Sequence, residues 1–132
     1  MSKTPCKMLS VPSIKDERGI LVFVEGGKHI PFPIKRIFYI YGMQKKRGGH
    51  AHKKCEQVII PINGKFDVIT DDGKARKRYR LDDPGAALYV PPKIWVEVEN
   101  FSRGAVILVL SSDLYKENDY IRDYIRFMAK EK

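Results

Sequence analysis

The residues best suited to chemistry lie in one short stretch, Arg47-Gly48-Gly49-His50-Ala51-His52-Lys53-Lys54-Cys55-Glu56-Gln57, which holds two of the chain's three histidines. On an extended backbone side chains alternate with period 2, so His50 and His52 point to the same face of a sheet. Imidazole is the side chain whose ordinary pKa lies near neutrality, and two on one face suit acid–base work. His50, His52 and Glu56 are also ligand types that iron or manganese accepts, so metal chemistry is the competing reading. His29, in a Gly-Gly-Lys-His-Ile-Pro stretch, reads as a surface loop residue.

To hold the two imidazoles the chain must build a sheet around them, and its patterning does so. The apolar run 58–62 and the hairpin turn Asn63-Gly64 follow the histidines, and residues 34–41, rich in β-branched and aromatic side chains, deliver the chain to them. Further strands are predicted at 7–14, 20–24, 65–70, 74–81, 86–90, 95–99 and 105–111, with turns at Asp71-Asp72-Gly73 and Asp82-Asp83-Pro84-Gly85. Short strands at even spacing predict an antiparallel sandwich or barrel. At the end, Tyr120, Ile121, Tyr124, Ile125, Phe127 and Met128 fit the stripe of a short C-terminal helix, with an extended 120–124 segment as the alternative.

A length of 132 residues predicts a single domain over 1–132 with a real core. No apolar run is long enough to span a membrane and no leader pattern opens the chain, which predicts a cytoplasmic protein. Cys6 and Cys55 lack a C-x-x-C arrangement and read as free thiols. The net charge of +9 includes a cluster at Lys74, Arg76, Lys77, Arg78 and Arg80. No aromatic nucleic-acid motif accompanies it, so it reads as a solvated strand face rather than a nucleic-acid surface.

The histidine block, with Glu56 and Gly64, resembles the first motif of the cupins, small β barrels whose H-x-H and Glu line the barrel mouth. Gly85, Pro91, Trp95-Val96 and Asn100 resemble the second motif, with Val96 where cupins supply their last histidine ligand. The resemblance narrows through Asp16-x-Arg18-Gly19-x-Leu21, Ile34-Lys35-Arg36-Ile37-Phe38-Tyr39-Ile40, Arg47-Gly48-x-His50-Ala51-His52-Lys53-Lys54-x-Glu56-Gln57, Pro91-Pro92-x-Ile94-Trp95 and Tyr120-Ile121-Arg122-Asp123-Tyr124. Together these resemble the sugar 3,4-ketoisomerases, which act on dTDP-4-keto-6-deoxy-D-glucose in bacterial surface-sugar pathways.

That resemblance implies an all-β cupin jelly roll with a short C-terminal helix, no cofactor, and a 3-keto product used for a 3-amino-3,6-dideoxyhexose. A carbonyl shift from carbon 4 to carbon 3 passes through an enediol and needs proton carriers. His52 is assigned as base at carbon 3 and His50 as its partner, a division open to reversal. Arg47 and Tyr39 are the candidates to stabilise the enediolate oxygen. Arg18 and Lys53 are candidate diphosphate contacts, and Glu56, Gln57, Trp95, Glu97 and Asn100 are candidate sugar or thymine contacts. With Val96 at the last ligand position, metal is not expected. A related 3,5-epimerase and a non-enzymatic nucleotide-sugar-binding module are the alternatives, and a homodimer that covers open sheet edges is expected.

Overall fold

Two five-stranded antiparallel sheets face each other in the computed structural model, which describes residues 3–130. The strands are β1 (Lys7–Ser10), β2 (Ser13–Asp16), β3 (Gly19–Val22), β4 (Arg36–Ile40), β5 (Arg47–His52) and β6 (Gln57–Asn63) in the first half of the chain. There follow β7 (Phe66–Asp71), β8 (Arg76–Leu81), β9 (Ala86–Val90), β10 (Trp95–Glu99), β11 (Val106–Ser111) and β12 (Tyr120–Ile121), and the helix α1 (Tyr124–Lys130). One sheet runs β1-β9-β6-β11-β4, the other β12-β5-β10-β7-β8, and β2-β3 forms a separate hairpin. This is the antiparallel two-sheet barrel expected from the strand spacing, and the jelly roll that the resemblance to the cupins implies.

The inner faces of the two sheets make the central core. Ile59, Leu88, Ile107 and Val109 from the first sheet meet Phe66, Val68, Leu81, Val96 and Val98 from the second. Alternation turns Val58, Ile60, Tyr89 and Leu110 to the outer side of the first sheet, where Ile30 and Phe32 of the 23–35 connection cover them. On the outer side of the second sheet, Ala51, Trp95 and Ile121 pack with Phe127 of α1. The helix is there for that purpose: Phe127, 1% exposed, is its buried anchor.

Two predicted elements divide. The strand predicted at 7–14 breaks after Ser10 because Pro12 offers no N–H to a ladder, and its carbonyl accepts the Phe23 N–H instead. The predicted helical stripe splits too: Tyr120 and Ile121 pair with His52 and Ala51 as a strand, and only from Tyr124 does the backbone turn helical. Both readings of the tail are therefore realised, one after the other. The cluster at 74–80 lies mostly on exposed β8, where Arg78 and Arg80 both pair with Asp67 and Arg76 pairs with Asp71. No described helix is long and apolar enough to cross a membrane.

Candidate active site

A cavity of about 280 Å3 opens between the two sheets. On one wall, β5 supplies Arg47, Gly48 and His50, β10 supplies Val96 and Val98, and the C-terminal segment supplies Tyr120 and Arg122. The facing wall is built by Phe38 and Ile40 of β4, Gln57 and Ile59 of β6, and Ile107 and Val109 of β11.

A bulge brings β5 to this position. The pairing of β5 with β10 slips between Val96 and Glu97, so that Val96 faces His50 while Glu97 faces Gly48. Gly48 has φ +88°, and a Cβ there would lie 2.7 Å from the Val96 carbonyl oxygen and 2.9 Å from Glu97 Cα. Only glycine allows the two strands to approach this closely.

Both imidazoles lie on the inner side of β5, their ring centroids 5.2 Å apart. His50 lines the cavity; His52 sits behind it, buried, with its ring 4.3 Å from that of Tyr120. His52 Nδ1 is 3.0 Å from Asp119 Oδ2. Asp119 is itself held by the Lys54 N–H at 2.9 Å and the Cys55 N–H at 3.2 Å. A carboxylate only accepts, so Nδ1 carries the proton and Nε2 keeps the lone pair. That Nε2 is buried and has no hydrogen-bond partner among the described residues.

Burial, then the neighbouring His52, then the guanidiniums of Arg122, Arg36 and Arg47 push His50 down to about 4. His52 is also lowered, burial outweighing the opposing pull of Asp119. Both rings are thus neutral near pH 7, the state in which an imidazole can take a proton. Around them the cations are fixed: Arg122 lies over the Tyr120 ring at 4.1 Å and is held by Glu117 at 2.7 Å, while Arg36 Nη2 donates to the Tyr120 hydroxyl at 3.4 Å.

Of the residues expected at the site, Arg47, His50 and Gln57 line the cavity and His52 adjoins it. The others lie elsewhere. Tyr39 is 66% exposed and stacks on Tyr41, because alternation on β4 gives the inner positions to Phe38 and Ile40. Glu56 accepts the Tyr89 hydroxyl at 2.6 Å on the outer side of the first sheet. Trp95 lies beneath α1, 4% exposed, and donates to Glu97, which in turn pairs with Lys46. Asn100 forms a left-handed turn with φ +54° and donates to Asp67. Lys53 flanks Ile121 and Phe127 on the far side of β5, and Arg18 pairs with Asp16 on the β2–β3 hairpin. None of these side chains reaches the cavity within this chain.

The metal-cupin set is not assembled either, since Val96 holds the last ligand position and Glu56 is turned away. Among the described residues the cluster that does converge is His52, Cys55 and Asp119. Its carboxylate is already taken up by His52 and two backbone N–H groups. These residues do not fit an iron or manganese cupin centre.

Sequence reasoning missed Asp119, Tyr120, Arg122 and Phe38. Period-2 alternation over 120–122, the extended alternative for the tail, sends Tyr120 and Arg122 to one face and Ile121 to the other, and would have found two of them.

Comparison with known proteins bears on this geometry. Residues 4–132 match the family model described as FdtA: WxcM-like, C-terminal. The chain is 47% identical over 123 residues to the TDP-4-oxo-6-deoxy-alpha-D-glucose-3,4-oxoisomerase of Aneurinibacillus thermoaerophilus, covering 92% of this chain and 88% of that one. A 3,4-ketoisomerase from Helicobacter canadensis superposes with a TM-score of 0.94 at 43% identity, over 97% of this chain and 98% of that one. A variant of the 3,4-ketoisomerase QdtA from Thermoanaerobacterium thermosaccharolyticum, solved in complex with TDP-4-keto-6-deoxyglucose, superposes with a TM-score of 0.93 at 37% identity, over 95% and 92% of the two chains.

Proposed function

The chain belongs to the FdtA and WxcM-like C-terminal family and is a sugar 3,4-ketoisomerase, and from that premise we propose that it converts TDP-4-keto-6-deoxyglucose to the 3-keto isomer by histidine acid–base transfer without a metal. The observation that carries the mechanism is the His52–Asp119 pair beside the cavity, with the opposite ring nitrogen unpartnered.

The base removes the proton from carbon 3, and the electron pair of that C–H bond becomes the carbon 3–carbon 4 double bond of an enediolate. Carbon 4 then takes a proton while the carbon 3 hydroxyl gives one up and becomes the carbonyl. Carbon 3 is oxidised and carbon 4 reduced within one molecule, so no external oxidant is needed. His52 acts as base and Asp119 holds its tautomer. His50, in the cavity wall, relays the proton, and Arg47 and Arg122 stabilise the enediolate oxygen. Gln57 holds a sugar hydroxyl.

The 3-keto product suits an aminating enzyme that makes a 3-amino-3,6-dideoxyhexose for a surface polysaccharide, in the cytoplasm, where the free thiols of Cys6 and Cys55 would persist. The chain works as one domain and as a homodimer. Exposed Ile14, Ile20 and Leu21 on the hairpin, together with exposed Ile37, Tyr39 and Tyr41 along edge strand β4 and just beyond it, favour that assembly.

The test is proton NMR of TDP-4-keto-6-deoxyglucose with metal-chelated protein in deuterated buffer. A 3-keto sugar with deuterium at carbon 4 is expected, and His52→Asn is expected to slow its formation by about 100-fold or more. Unchanged substrate, or turnover restored only by added iron or manganese, would sink the reading.

A further inference from the structure

The buried thiol of Cys55 takes no part in the carbonyl shift, yet it stands beside the pair that does. One ligand atom from each of His52, Cys55 and Asp119 lies within 4.8 Å of the other two. The imidazole and carboxylate meet at Nδ1 and Oδ2, 3.0 Å apart. Imidazole, thiolate and carboxylate are the donors that zinc takes, and the thiolate disfavours magnesium, calcium and manganese. His52-Lys53-Lys54-Cys55 sets two donors apart by two residues, the short chelating spacing of structural zinc sites. Zinc bonds of about 2.0–2.3 Å put two ligands of a tetrahedral ion roughly 3.3–3.7 Å from each other, so closure asks for a contraction of roughly 1 Å. The thiol donates only to the Glu56 carbonyl, at 3.4 Å, a weak bond to give up. Asp119 is half-buried and ends the turn Glu117–Asp119, whose other two residues are exposed, which leaves an ion a way in.

Resting on the reading of His52 as the base, we propose that His52, Cys55 and Asp119 form a zinc site whose occupancy switches the isomerase off. The ion takes His52 Nδ1, Cys55 Sγ and Asp119 Oδ2, and its fourth position is left to water. Asp119 Oδ1 stays on the Lys54 N–H, while Oδ2 exchanges the imidazole proton for the ion. The thiol proton leaves to solvent and the imidazole proton moves from Nδ1 to Nε2; no electron is transferred. A neutral imidazole bound through Nδ1 carries its proton on Nε2, so the lone pair that would take the carbon 3 hydrogen is gone. Zinc thus acts by fixing the opposite tautomer to the one Asp119 selects, without entering the cavity.

The experiment titrates the chelated, intact protein with cobalt(II) and then with zinc. Cobalt is expected to give a sulfur-to-metal charge-transfer band in the near ultraviolet that saturates at one ion per chain and is bleached by zinc. The band should persist in Cys6→Ser and vanish in Cys55→Ser and Cys55→Ala. One zinc per chain should lower turnover of TDP-4-keto-6-deoxyglucose by about 100-fold or more, reversibly with a chelator, as expected for a lost base. Measured against their own zinc-free rates, the two Cys55 variants should need at least about tenfold more zinc, since even outer partners of a metal site are worth about 10–100-fold in affinity. A missing sulfur band, or a band that survives in both Cys55 variants, overturns the site and leaves the isomerase reading intact. Full turnover with the band saturated overturns the switch. No turnover in the zinc-free protein overturns the isomerase reading and the switch with it, while the band still reports on the metal site.

Discussion

His50 shows how the cavity sets the chemistry of a single residue. Its depression to about 4 from the ordinary 6.5 keeps it neutral in the fold. The unfolded chain therefore binds a proton that the folded chain does not as pH falls through that window, so stability rises with pH there and is lost on acidification from about 6.5 towards 4. Denaturant midpoints should drop as pH is lowered through that range, and His50→Phe should flatten the slope. Activity should hold through mildly acidic pH and decline only below the ordinary histidine range, because the base must be unprotonated and His52 is lowered as well. Asp119→Asn removes the acceptor that raises His52, so its acid limb should move lower still while the maximal rate drops; an unmoved limb would show that Asp119 does not govern the base. The two histidines were legible because period 2 fixes their common face. Asp119 was not, because its partner lies 67 residues away in the chain and nothing local marks it.

At the scale of the element, β5 depends on one glycine and one cover. Gly48→Ala places a methyl against the Val96 carbonyl and Glu97 Cα at a positive φ. It should cost about 1–3 kcal/mol in denaturant unfolding, and should lower kcat beyond what the stability loss explains because Arg47 and His50 flank it. Phe127→Ala should cost about 3–5 kcal/mol through the cavity it leaves beneath α1. The strands were readable from turn residues and alternation. Which side of a strand met the cavity was less so. Glu56 turns to Tyr89 and Trp95 falls under α1 because their neighbours Gln57 and Val96 take the inner positions that line the cavity. Gly49 illustrates the same point: a Cβ there would meet the Trp95 ring at 3.8 Å, an ordinary contact on the helix-covered side.

For the whole molecule, the exposed hairpin and β4 predict a concentration-dependent dimer. Sedimentation of the protein should give twice the mass of one 15.2 kDa chain, and Ile20→Lys with Leu21→Lys should shift it towards monomer; a wild-type monomer at micromolar concentration would contradict this. The overall basicity was legible, but not its arrangement. Arg76, Arg78 and Arg80 are spent on Asp67, Asp71 and their neighbours, while Arg36, Arg47 and Arg122 surround His50. The joining of Asp119 to His52 also orders events in time. During synthesis the histidines leave the ribosome long before their carboxylate does, and every strand of the facing sheets except β12 precedes it. A nascent chain can thus assemble most of its barrel while its site still lacks Asp119, Tyr120 and Arg122. A chain cut short before Asp119 should therefore keep the strands of both sheets up to β11 and yet be inactive.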